Sequence, residues 1–110
     1  MDKVFLMMRE FLIELPNGVI FGLGRLEPVD EGWVVRIKDA CDFEGEAGMI
    51  EAMKIAAQTT KTIAGYKDGE VEMWDVVEIF DNEPEATLAG KLNEQMTIYR
   101  IETATLKWLD

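Results

Sequence analysis

Apolar residues recur at spacings of three and four from Glu46 to Gly65 (EAGMIEAMKIAAQTTKTIAG), and this period predicts a central helix. Met49, Ile50, Met53, Ala56, Ala57, Thr60, Ile63 and Ala64 share one face, while Glu51, Lys54, Gln58 and Lys61 share the other. Acids gather around its start (Asp42, Glu44, Glu46, Glu51), where the helix dipole favours negative charge. Lys61 falls near its end, and Gly65 is placed to turn left-handed after the last turn. Ala52, Ile55, Thr59 and Thr62 make a weaker second stripe.

On both sides of this helix the period shortens to two. Residues 3–15 fit either period, but FLIEL, Pro16-Asn17-Gly18 and VIFGL form two β-rich runs around an Asn-Gly turn. Strands are therefore expected at about residues 5–15 and 18–27, with Gly22 and Gly24 marking a bulge or bend in the second. Pro28 to Gly32 reads as a turn, and GWVVRIKDA as a strand with Trp33, Val35 and Ile37 on one face.

After the helix, Tyr66-Lys67-Asp68-Gly69 reads as a turn, and a strand is expected from Glu70 to Phe80. Alternation puts Val71, Met73, Val77 and Ile79 inward, and Glu70, Glu72, Trp74 and Glu78 outward. Asp75 shares the inward parity, which predicts a bulge or a strand end there. Asp81-Asn82-Glu83-Pro84 is a helix-start signal, followed by one or two turns up to Leu92. A last strand is expected from Met96 to Trp108. The pattern as a whole is α+β: one domain, residues 1–110, with a mainly antiparallel sheet of about five strands and one central helix packed on one face.

Composition changes little of this picture but excludes much chemistry. The 110 residues are 48% apolar and 30% charged, a globular balance, and no apolar run reaches the roughly 18 residues of a membrane span. A soluble, cytoplasmic chain is expected, and the single Cys41 agrees with a reducing compartment. There is no histidine, which removes the commonest general base, the usual nucleophile pairings and the usual nitrogen ligands of zinc. Cys41 then reads as a small buried residue. Asp39, Asp42, Glu44 and Glu46 crowd together, but counting from Asp42 puts Met53 where a calcium loop needs its bidentate Glu. Gly22-Leu23-Gly24-Arg25-Leu26-Glu27 lacks the third glycine of a dinucleotide fingerprint. No catalytic residue, metal or cofactor is expected, and the protein reads as a non-enzyme.

Charge points the other way, toward a partner. Twenty-two Asp and Glu against eleven Lys and Arg leave a net charge of −11. Direct nucleic-acid binding and anionic membranes are disfavoured, and a basic protein surface is the natural partner. Residues 68–90 hold eight of the acids and no Lys or Arg. Within that run, Glu70, Glu72, Trp74, Glu78, Asp81, Glu83 and Glu85 are the candidate protein-binding residues, an aromatic ringed by carboxylates.

The span VIFGLGRL, GWVVRIKDA and DFEGEAGMIEAM resembles a class of small phage-encoded proteins of unknown function, although Cys41, Asp42 and Glu44 replace the basic and aromatic residues that follow the strand there. In composition the chain is similar to acidic anti-restriction and anti-CRISPR inhibitors, some of which mimic nucleic-acid phosphates. That resemblance implies a phage-type inhibitor docking its acidic face on a basic, nucleic-acid-binding host protein such as a nuclease, and it carries over no site residues. Two further readings stand beside it. One is a homo-oligomeric structural subunit, motivated by the second helix stripe and by the first and last strands as potential sheet edges. The other is a binder that sequesters a small signalling nucleotide, with Gly22, Gly24, Arg25, Trp33 and Arg36 around a pocket on the sheet.

Overall fold

A computed structural model describes residues 18–24 and 27–109. The expected first strand at 5–15, most of the Asn-Gly turn and Arg25 lie outside the described residues. The chain is α+β with a sheet that is antiparallel at every pairing. It has more strands than the five expected: β1 (Val19–Gly22), β2 (Glu27–Pro28), β3 (Trp33–Arg36), β4 (Phe43–Glu44), β5 (Thr62–Asp68), β6 (Val71–Phe80), β7 (Thr97–Arg100) and β8 (Thr105–Trp108). Helix α1 (Gly45–Gln58) precedes β5, and helix α2 (Glu83–Leu92) follows β6. Among the described residues the sheet order is β2-β1-β5-β6-β3-β7-β8, with β2 and β8 at its two ends.

Strand β6 is the axis of the fold. It pairs with β5 on one side, and on the other with β3 along 77–80 and β4 along 73–74. β3 and β4 thus share one lane, broken where residues 37–42 leave it. Ile37 N–H still reaches Val76 O at 2.9 Å, and Val76 N–H reaches Ala40 O at 2.8 Å, across that excursion. Asp39 and Asp42 take positive φ values of 63° and 62°, in the left-handed region that Asp tolerates better than most residues.

Residues partnered across antiparallel strands point to the same face. The register therefore puts Trp74, Gly65 and Val19 on one face, together with Val76, Ile63 and Phe21. Val35 and Trp33 join them through Glu78 and Phe80. Both helices pack on this face. Met49, Ala52 and Ala56 of α1 close a core with Val19, Phe21, Ala40, Ile63, Trp74 and Val76. Ala86 of α2 closes a second with Val35 and Ile98, flanked by Trp33, Phe80, Ala89 and Leu109.

Several sequence expectations change here. The helix ends at Gln58 instead of running toward Gly65, and Lys61, at φ 59°, makes the left-handed turn instead of Gly65. Its amide donates to Ala56 O at 2.7 Å, after which Thr62 to Asp68 become a strand. Thr59, Thr60 and Thr62 favour this outcome, since β-branched residues sit better in strands than in helices. The buried face of α1 is also rotated. Ile50 and Ala57 are exposed, whereas Ala52, assigned to the outer stripe, is fully buried. Ile55 of the same stripe packs against the first core, so this stripe is not a free surface.

The strand expected at 18–27 folds back on itself. β1 and β2 pair as a hairpin through Phe21–Pro28 and Gly22–Glu27, with Gly22 and Gly24 at the reversal and Pro28 on an edge strand that needs no amide. The expected last strand likewise divides into β7 and β8, joined by residues 101–104 with no glycine or proline to announce the turn. The segment after Asn82 is a ten-residue helix, longer than the one or two turns expected.

Candidate functional site on the face opposite the helices

The central strand contradicts the assignment of its faces. Residues 72–77 are all buried, Trp74 completely. Trp74 points under α1 and not outward, because the helices cover the even-numbered face of β6 that the alternation had assigned to solvent. Glu72 shares that parity and is 8% exposed. Of the seven candidate protein-binding residues, Glu70, Glu78, Asp81, Glu83 and Glu85 are exposed. They do not form one patch. Glu70 sits in the β5–β6 turn and Asp81 beyond the far end of β6, on the order of 35 Å away at ~3.3 Å per strand residue. Glu83 is held by Lys107, and the Glu85 amide donates to the Asn82 side chain at 2.9 Å.

The odd-numbered residues of β6 face away from both helices, and here a cavity of about 810 Å³ opens. Val34 and Arg36 of β3, Ala64 and Tyr66 of β5, Asp75 and Val77 of β6, and Tyr99 of β7 line it. Ile20 of β1, Val29 after β2 and Leu106 of β8 close it from the two sides. Strands from both ends of the sheet meet one cavity, so the sheet is curled over this face.

The polar groups of the cavity gather around Asp75, whose side chain is only 3% exposed. Its Oδ1 accepts the Asp42 N–H at 2.7 Å. Its Oδ2 lies 3.9 Å from Arg36 Nη1, which is also 3.8 Å from Asp42 Oδ1. The Tyr66 hydroxyl donates to Asp42 Oδ1 at 2.8 Å. The irregularity predicted at Asp75 thus lies in the neighbouring lane. β6 runs through residue 75 in unbroken register with β5, and the carboxylate fills the gap left by residues 37–42 and receives the amide stranded there.

Burial shifts the titrating groups of this cluster in one direction. Asp75 is held above the usual carboxylate value of 3.8, first by desolvation, against the Asp42 amide and Arg36, which pull it down. Tyr66 is pushed well up by burial and then by its hydrogen bond to Asp42. The Cys41 thiol is raised by burial and by Asp75 nearby, and donates to Ile37 O at 3.1 Å. A protonated, half-buried thiol is a poor nucleophile.

The chain matches no family model, no curated protein and no solved structure.

The residues named for a nucleotide pocket separate. Arg36 lines the cavity, but Trp33 lies on the helix side of the sheet with the Arg100 guanidinium 5.8 Å from its ring centroid. Neither Gly22 nor Gly24 is among the described lining residues. Sequence reasoning missed Asp42 as a partner of Arg36 and Tyr66 as the donor to Asp42. The one signal was Asp75, an acid at an apolar position of a strand. Among the described residues, no group of three or more His, Cys, Asp or Glu is placed to hold a metal ion, and no helix is long and apolar enough to cross a membrane.

Proposed function

We propose that this protein is a non-enzymatic binding protein that takes up a small, largely apolar molecule in the curled face of its sheet. The observation that carries the reading is the cavity of about 810 Å³, with apolar walls and the Arg36–Asp75–Tyr66 group on one side. Ligand sites are characteristically concave, mostly apolar and provided with a few converging polar groups. A protonated, half-buried Cys41 and a Tyr66 hydroxyl pushed well above its ordinary value support binding over catalysis, because neither is poised to attack or to exchange a proton near neutrality. A titration with the neutral dye Nile red tests it. One saturable site, lost when Ala64→Phe fills the cavity, is the expected result. Absence of saturable binding to the intact chain would sink the reading.

A second reading is favoured by the exposed carboxylates Glu78, Asp81, Glu83 and Glu85 around the start of α2. They would dock on a basic surface, such as that of a nucleic-acid-binding protein, through attraction screened over about 8 Å at physiological salt. Pull-down at low and high salt tests this. A captured basic partner whose retention falls steeply with salt supports it, and retention indifferent to salt removes it.

A further inference from the structure

We infer that the molecule held in this cavity carries a cationic amine head on an apolar body, and that Asp75 receives the head. The inference rests on the cavity reading above and adds the chemistry of the ligand to it.

The charge count around the head position decides its sign. One guanidinium, Arg36, is shared between two carboxylates, Asp42 and Asp75, at 3.8 and 3.9 Å. Both distances exceed hydrogen-bond length, so Arg36 neutralises one carboxylate at long range and clamps neither. With both carboxylates ionised, these three groups sum to one net negative charge. Asp42 is the more exposed of the two carboxylates and already accepts the Tyr66 hydroxyl. Asp75 differs: it is almost wholly buried, its Oδ1 accepts the Asp42 amide, and its Oδ2 faces Arg36 only at the longer distance of 3.9 Å. A carboxylate on the wall of a cavity, whose Oδ2 has its nearest cation at 3.9 Å, is a place where an N⁺–H group fits.

The alternatives meet resistance from the same atoms. A phosphate or carboxylate head would have to displace two carboxylates from Arg36 and then lie beside them in an apolar surrounding, where like-charge repulsion is weakly screened. The net charge of −11 would repel such a ligand at long range and draw a cation in. A nucleotide is thus the poorer fit. A bound ammonium would also offset the desolvation that holds Asp75 above the usual carboxylate range. Val34, Val77, Ile20 and Leu106 supply the apolar surface for the rest of the molecule.

The test uses three probes with one body and different heads: phenylbutylamine, phenylbutanol and phenylbutanoate, titrated calorimetrically into the intact chain at neutral pH. The amine is expected to bind at least about tenfold more tightly than the acid, with the alcohol between them. Asp75→Asn should bring the affinity ratio of amine to alcohol close to one. Arg36→Gln, which leaves both carboxylates unneutralised, should widen the preference for the amine, and it keeps the test decisive if the Asp75 variant does not fold. Equal or tighter binding of the acid, or a ratio untouched by either substitution, overturns the inference while leaving the cavity reading in place. If none of the probes and no Nile red binds, the cavity reading fails and this inference fails with it.

Discussion

Gly65 lies directly across from Trp74 in the β5–β6 ladder, and the indole fills the space a side chain at residue 65 would need. A Cβ on Gly65 would overlap the six-membered ring at several atoms. The glycine that looks like a helix terminator is instead the floor on which the central tryptophan lies beneath α1.

Two substitutions test that packing. Gly65→Ala should destabilise the fold by roughly 1–3 kcal/mol through overpacking, and Trp74→Ala by roughly 3–5 kcal/mol through the cavity it leaves. For a domain of this size each kcal/mol shifts the melting temperature by about 4–8 °C. Thermal melts followed by circular dichroism check both. A Trp74→Ala protein that melted with the parent would show the indole to be outside the core.

Asp75 makes stability depend on pH in an unusual direction for an acid. Its folded value lies above the unfolded one, so the native state holds the proton more tightly. Its ionisation therefore lowers stability as pH rises through the folded value, and that loss is recovered as pH falls toward the unfolded value near 3.8. Asp75→Asn removes this contribution. Relative to the parent, the variant should gain stability at neutral pH, and the gain should shrink as pH falls toward 4. Urea midpoints across that range measure it, and a gap independent of pH contradicts the assignment.

Tyr66→Phe deletes the hydroxyl that donates to Asp42 at 2.8 Å. The expected loss is about 0.5–1.5 kcal/mol, the usual net worth of such a bond. Proton exchange should report where it acts. The Asp42 amide, bonded to Asp75, should exchange faster in the variant, while amides in α2 should be unchanged.

The start of α2 offers a local control. Asn82 caps the helix by accepting the Glu85 amide at 2.9 Å. Asn82→Ala should cost about 1 kcal/mol, and Asn82→Asp should recover most of it, since both Asn and Asp cap well. A denaturant melt of the three proteins is sufficient to see the difference.

What the sequence determined by itself is what local chemistry dictates. The Asn82-Glu83-Pro84 cap, the apolar period around Met49 to Ala56, and the β-rich run of β6 all appear where the pattern puts them, because each depends on residues a few positions apart. The antiparallel α+β class follows from their order. Which face of β6 looks inward depends on what covers it. With α1 over Trp74 and Val76, and a curled sheet around Asp75 and Val77, both faces are buried and period-two alternation loses its meaning. The end of α1 was decided in the same way. Lys61 turns and Gly65 does not, because residues 62–68 are needed as a strand beside β6, and a strand's partners lie far away in the chain. The candidate site depends most on the tertiary structure. Arg36, Tyr66 and Asp75 come from β3, β5 and β6 and Asp42 from the break between β3 and β4, and only the register of the strands brings their polar groups within 4 Å.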